Sequence, residues 1–264
     1  MVASVPARTS TLGLALVALA VVAGPAHAEA PWIAPTVITV PTAWTQPGTA
    51  VYASLGGDHR FGTSARATVG YARLVEVDVG GDGLLTSCAP CDGPARAATP
   101  AQLATAGWKL AVRPTARLAL AGGLRVPLPG GDGRRAAQGF AIGSLRLGPV
   151  ALHAGASTWA SRHRGDDGAE IALAPTTSVR PLVGLEWTPR IYPRTTLGAD
   201  LQWLPELGPT AATTAARWSF AWGVRYRALP YSAIELAVRH REGDALGDAT
   251  VMVRLSAVLS ARPR

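Results

Sequence analysis

The sequence predicts an all-β fold: one closed antiparallel transmembrane β-barrel of about twelve strands. Three observations predict it. Apolar and polar residues alternate with period two in segment after segment, the mark of strands with two unlike faces. The connections between those segments alternate between short and long. The first residues have the pattern of an export leader, which places the rest of the chain outside the cytoplasm.

Composition narrows the class. Of 264 residues, 48% are hydrophobic and only 16% charged, against about 25% charged in a soluble domain. Yet after the leader no uninterrupted apolar stretch reaches the roughly 18 residues of a spanning helix, because 29 Gly and 21 Pro break the chain up. The net charge of +8 comes almost wholly from Arg; Lys109 is the one lysine. The arginines are scattered, with no basic run and no helix-turn-helix or zinc pattern, so no nucleic-acid partner is expected.

Residues 1–28 carry Arg8, an apolar run from Leu12 to Ala23, and the small-residue box Ala26-His27-Ala28. This is the order of a cleaved secretory signal, and the run is too short for an anchor of about 20 residues. Residues 29–48 contain Pro31, Pro35, Pro41 and Pro47; that spacing excludes a central strand and predicts an extended N-terminal segment. The barrel is expected over 49–264. Cys88 and Cys91, the only cysteines, are expected to form a local disulfide in an outward loop, since an exported chain meets an oxidising compartment. A redox or metal role and free thiols are the alternatives.

Twelve strands are expected near 49–57, 64–72, 73–81, 103–113, 115–126, 136–147, 149–159, 179–188, 194–204, 215–227, 230–240 and 249–260. The clearest places Trp218, Phe220, Trp222, Val224 and Tyr226 between Arg217, Ser219, Ala221, Gly223 and Arg225. The segments at 136–147 and 149–159 alternate less cleanly. Most lengths suit the 9–11 residues of a tilted membrane-crossing strand. Connections after the odd-numbered strands are long (58–63, 82–102, 127–135, 160–178, 205–214, 241–248). Those after the even-numbered strands are short. Membrane barrels sort their loops this way, with short periplasmic turns and long outward loops.

Alternation alone leaves open which face is apolar. The polar face mixes Arg, Glu and Asp with Gly, Ala and Ser, which suits a crowded lumen better than a solvated surface. Aromatics gather in two bands: Tyr71, Trp187, Tyr192, Tyr226 and Tyr231 near the short turns, Trp203 and Trp218 near the long loops. Such bands are interfacial girdles. Closure follows because lipid offers no hydrogen bonds to a free sheet edge.

With these features the chain resembles bacterial outer-membrane β-barrel proteins of the porin-like kind. The stretch Pro41-Thr42-Ala43-Trp44-Thr45-Gln46-Pro47-Gly48 is similar to the lead-in "P-T-A … P-G" of some of them. The resemblance implies an outer-membrane location, contact with membrane lipid and lipopolysaccharide, and delivery by the barrel-assembly machinery. One departure stands out. Many such barrels end on an aromatic residue used in assembly, and this chain ends Leu259-Ser260-Ala261-Arg262-Pro263-Arg264.

If apolar residues face lipid, parity sends Lys109, Arg113, Arg117, Arg125, Glu186, Asp200, Arg217, Arg225, Glu235, Arg239 and Arg254 into the lumen, with Arg66, Glu76, Asp78, His153 and Arg180. Paired, these charges hold the wall; unpaired, their basic excess attracts anions. The function expected first is a passive pore for small polar solutes with a mild anion preference. A closed structural or adhesive barrel and an outer-membrane hydrolase are the alternatives. No hydrolase motif is present, and stretches such as Ser161 to Asp166 only bring Ser, His and Asp near in sequence. The chain is therefore expected not to be an enzyme. The Gly–Asp patches near 80–83, 130–133 and 165–168 are ordinary turn chemistry, and neither metal nor cofactor is expected.

Overall fold

The computed structural model describes residues 34–46, 50–58, 62–82, 103–128, 135–164, 168–174, 179–206, 215–243, 245, 247 and 249–260. Residues 1–28, expected to be a leader, and the Cys88–Cys91 stretch lie outside the described residues.

Thirteen strands are described: β1 (Ala50–Asp58), β2 (Gly62–Tyr71), β3 (Val75–Asp82), β4 (Leu103–Val112), β5 (Leu118–Pro127), β6 (Arg135–Leu147), β7 (Val150–Arg164), β8 (Glu170–Leu173), β9 (Arg180–Trp187), β10 (Thr195–Glu206), β11 (Ala215–Leu229), β12 (Ser232–Arg241) and β13 (Thr250–Ser260). All pairings are antiparallel and join sequence neighbours, except that β9 pairs β7 past β8 and β1 pairs β13 from Ala50↔Ser260 to Asp58↔Met252. That last pairing closes a ring of twelve strands, the form in which a sheet meets lipid without two open edges, while β8 pairs β7 alone.

The thirteenth strand revises one expectation. Residues 160–178 read as a single long loop, but β7 runs on to Arg164 and β8 returns beside it. Residues 161–164 of β7 take β8, and residues 150–157 of the same edge take β9. So β8 and β9 are one interrupted strand. The ladder breaks near Pro181, which has no N–H to give. Trp159 faces inward at the break, and its indole donates to the Trp203 carbonyl on β10 at 2.9 Å.

Short turns join the strands at one end. Ala72 and Arg73 both adopt positive φ, 52° and 60°, and the Leu74 amide donates to the Tyr71 carbonyl at 3.0 Å. This is a two-residue hairpin of the mirror-image kind that matches strand twist. It occupies a place where the sequence suggested almost no connection.

Large apolar side chains point outward: Val77, Leu110, Leu124, Leu185, Trp222, Leu236, Val253 and Leu255 are all exposed, while Glu76, Lys109, Asp200, Arg225, Glu235 and Arg239 are buried. The barrel is thus apolar outside and polar inside. In β6 and β7 the sizes are reversed. Phe140, Ile142 and Trp159 are buried on the inner face, while Gly139, Ala141, Gly143, Ala154 and Ala156 take the outer positions. The reason lies inside the barrel.

The lumen and its N-terminal hairpin

Residues 34–46 run inside the barrel. No residue of the stretch is charged, and Val37, Ile38, Val40, Ala43, Trp44, Thr45 and Gln46 are all nearly inaccessible. The chain doubles back on itself: Val37 N–H donates to the Val40 carbonyl at 2.9 Å, Thr42 N–H to the Pro35 carbonyl at 2.9 Å, and Thr36 bridges Pro41. The result is a small hairpin with its tip at Val37–Val40. Pro35 and Pro41 suit its arms, where their fixed φ helps and a missing N–H costs nothing.

The wall supplies two apolar seats. Val37 and Ile38 pack with Ala221, Ala237 and Met252. Val40, Ala43 and Trp44 pack with Ala111, Ala119, Ala121, Phe140, Ile142 and Leu182. The inverted face of β6 is therefore half of a seat for the hairpin. Glycines make further room. A Cβ on Gly184 would lie 2.8 Å from Val37 Cγ2, and one on Gly70 would lie 2.6 Å from the Gln46 Cβ.

Polar groups of the wall are matched to the hairpin's backbone. Asp200, buried on β10, accepts the amides of Ile38, Thr39 and Val40 at 2.9, 2.6 and 2.9 Å, and the Thr39 hydroxyl at 2.9 Å. One carboxylate thus satisfies three successive N–H groups of the tip, each bond strengthened by the charge. Cations take the carbonyls. Lys109 Nζ donates to the Thr42 and Trp44 carbonyls at 3.1 and 2.8 Å. Arg225 donates to the Thr36 carbonyl at 3.0 Å and also to that of Val37. Arg254 donates to the Ile38 carbonyl at 2.9 Å, and Arg113 to that of Thr45 at 2.9 Å. The Gln46 amide donates to Glu76 at 2.7 Å. Arg113 and Arg146 lie over the Trp44 ring at 5.4 and 5.0 Å from its centre, a cation–π contact of the kind guanidinium favours. Burial, and then the guanidinium groups of Arg73 and Arg146, holds Arg113 below its ordinary pKa.

The same groups pair with one another. Lys109 meets Glu76 at 2.5 Å; Arg225 meets Glu186 at 3.0 Å and Glu235 at 2.6 Å; Arg254 meets Glu235 at 3.0 Å. Higher in the lumen, Asp78 takes Arg66 at 2.5 Å and Arg125 at 3.4 Å. A third group links β6, β7 and β9. The Ala43 amide donates to Ser144 Oγ at 2.8 Å, and Ser144 lies 2.7 Å from His153 Nδ1. His153 Nε2 in turn stands 3.4 Å from Glu186. If the Ser144 hydroxyl donates to Nδ1, Nε2 carries the proton toward Glu186. The residues follow the order of a Ser–His–acid relay. Here they tie Ala43 to the wall and lead through Glu186 to Arg225, which holds the other arm.

Of the residues that parity sent inward, Lys109, Arg113, Glu186, Asp200, Arg225, Glu235 and Arg254 surround the hairpin, with Glu76 and His153. Arg66, Asp78, Arg125, Arg217 and Arg239 stand nearer the long-loop end. Two stand elsewhere. Arg117 precedes β5 in a short turn and is exposed; the turn forms on the Thr115 hydroxyl, which accepts the Arg117 and Leu118 amides at 3.2 and 3.0 Å. Arg180 is exposed at the start of β9. Sequence reasoning missed Thr39, Ser144 and the hairpin itself. The irregular alternation of 136–147 was the signal that something apolar lay inside. A cavity of about 160 Å³ remains beside the hairpin at the short-turn end, lined in part by Trp44, Arg146, Glu186 and Arg225.

No protein-family profile matches the sequence, and no characterised protein matches it by sequence. Solved structures are similar in fold. An outer membrane channel from Pseudomonas putida is 14% identical, with 82% of this chain and 98% of that one aligned at a TM-score of 0.52. The KdgM porin, solved with disordered oligogalacturonate, aligns over 81% and 99% at 7% identity and a TM-score of 0.48. Outer membrane phospholipase A from Escherichia coli aligns over 82% and 91% at 9% identity and a TM-score of 0.41. The closed ring, the apolar outer face and the likeness to the Pseudomonas channel give this chain the fold of outer-membrane β-barrel proteins.

Proposed function

We propose that the protein is an outer-membrane pore for small polar solutes that its own N-terminal hairpin holds closed. The observation that carries this reading is the form of the closure. The obstruction is a separate segment with no covalent link to the wall across residues 34–46, seated on groups matched to its backbone. A barrel that served only as a scaffold could fill its lumen with wall side chains. A removable hairpin gives the lumen two states.

The location follows from the fold, and the short turns then face the periplasm. A mild anion preference rests on the outer half of the lumen. There Arg66, Arg125, Arg217 and Arg239 stand against Asp78 among the described residues. In the hairpin's half, Lys109, Arg113, Arg225 and Arg254 are balanced by Glu76, Glu186, Glu235 and Asp200. Selectivity of the open state is thus set beyond the hairpin, where the field of the arginines lining the lumen concentrates anions.

The test is planar-bilayer conductance of the refolded barrel with and without residues 34–46. The intact protein is expected to stay mostly closed and the deletion to conduct in stable steps, with a reversal potential favouring anions. A synthetic peptide of residues 34–46 added from the short-turn side should close it again. A deletion that folds, shown by heat-modifiable gel mobility, yet never conducts would return the protein to the closed structural reading.

A further inference from the structure

The short-turn end of the barrel carries a one-sided charge pattern. Arg73, Arg117, Arg146, Arg190 and Arg194 are exposed there, and Arg227 is partly so. The short turns themselves contain no Asp or Glu, whereas each of the six long connections contains at least one. The asymmetry is therefore a property of one rim. No ion-pair partner is found for Arg117, Arg190 or Arg194 among the described residues.

Apolar groups fix the depth at which this rim sits. Tyr71, Trp187, Tyr192, Tyr226 and Tyr231 are all exposed in one band beside the turns, the position of an interfacial girdle. Ile191 is 80% exposed and stands with Tyr192 between Arg190 and Arg194 in one turn. An exposed Ile-Tyr pair flanked by two arginines is costly in water and well placed at a lipid surface. The apolar pair enters the acyl boundary while the guanidinium groups reach the headgroups.

We infer that this arginine rim is a binding surface for the phosphates of anionic phospholipids in the leaflet at the short-turn end. Guanidinium is suited to that role because its planar fork holds phosphate oxygens in pairs and stays charged. Each basic group near such a surface attracts anionic lipid by roughly a fivefold factor at low salt, and screening weakens this. The inference concerns the outer rim and is independent of whether the lumen conducts.

The test uses the full mature chain inserted into vesicles of phosphatidylcholine mixed with a minor share of phosphatidylglycerol. Insertion is read first by heat-modifiable mobility; failure there refutes the membrane barrel itself. Lipids retained after mild detergent extraction are then identified by native mass spectrometry. Phosphatidylglycerol is expected to be enriched about fivefold or more over its bulk share, less so at high salt. The triple variant Arg117→Ser, Arg190→Ser, Arg194→Ser should bring it close to the bulk ratio. It spares Arg113 and Arg146, which hold Trp44. The control Arg135→Ser with Arg164→Ser, two exposed arginines at the opposite rim, should leave the enrichment intact. An inserted protein without enrichment, or a triple variant that keeps it, overturns the inference. So does an equal loss in the control, which would make the effect one of net charge. A rim built for an acidic protein would show itself as the first of these outcomes.

Discussion

Replacing Asp200 by Ala should open the barrel without unfolding it. The carboxylate accepts three consecutive amides of the hairpin tip and the Thr39 hydroxyl, and it is almost wholly buried. Losing it strands three N–H groups in the seated state. Each stranded group costs about 1–3 kcal/mol, so seating weakens by roughly 3–9 kcal/mol, an upper range because luminal water can reach part of the gap. Even the low end shifts the seated–unseated ratio by about a hundredfold at 1.4 kcal/mol per tenfold. The barrel wall should tolerate the change, because β10 keeps its ladders to β9 and β11. The assay is single-channel recording of Asp200→Ala beside wild type, with limited proteolysis from the short-turn side as a second readout. The variant should open far more often, and cleavage within 34–46 should appear. Asp200→Asn, which keeps one oxygen for the three amides but loses the charge and turns an NH2 toward the Thr39 hydroxyl, should fall between. If Asp200→Ala folds, stays silent and keeps its hairpin protected, the carboxylate does not decide seating and this account of the closure fails.

Three further outcomes follow from the wall. Gly70→Ala places a Cβ 2.6 Å from the Gln46 Cβ, so it should unseat the hairpin and raise open time, yet leave a barrel lacking residues 34–46 unaffected; equal harm to both would locate the strain in the wall. Leu201→Arg and Val253→Arg put a charge on the outward face and should cost about 2–4 kcal/mol near the midplane, measured by urea-dependent folding into vesicles, whereas wild-type-like folding would show that face to be wet. A fluorophosphonate probe should not label Ser144 in the intact protein, where the Ala43 amide occupies its oxygen; labelling that Ser144→Ala abolishes would make the Ser144–His153–Glu186 row a nucleophilic site and revive the hydrolase reading.

The wall was legible in the sequence because lipid imposes a local rule. Every outward position must be apolar and every strand must cross a fixed thickness, so period, strand length and loop sorting each report the fold within a few residues. The register followed for the same reason: a one-residue slip would have exchanged Leu236 with Glu235 across the wall. The hairpin was not legible, because no local rule specifies it. Its residues are uncharged, proline-rich and short, which also describes a linker. Its partners lie up to 218 residues away, as between Arg254 and Thr36. Where the interior did leave a trace, it was a breach of the rule: Phe140 and Ile142 face inward where the neighbouring outer positions are Gly139, Ala141 and Gly143.

That breach bears on how the basic excess should be understood. Summed along the chain, the inward charges point to an anion path, and every one of them counts alike. The structure divides them by task. Lys109, Arg113, Arg225 and Arg254 donate hydrogen bonds to carbonyls of the hairpin, and a neutral side chain would donate them more weakly. Their acidic partners neutralise them toward anything else in the lumen. Buried cations are therefore what a seat for bare peptide backbone requires, since its carbonyls need donors, while Asp200, Glu76 and Ser144 answer its amides. The two tasks separate in one comparison. Removing Arg225 from a barrel that lacks residues 34–46 should change selectivity little, because Arg254 still pairs with Glu235 and His153 still stands beside Glu186. Removing Arg217 and Arg239 from the same barrel should shift the reversal potential toward cations. If the first variant moves selectivity as far as the second, the seat and the anion path are one set of residues, and closure and selectivity cannot be tuned apart.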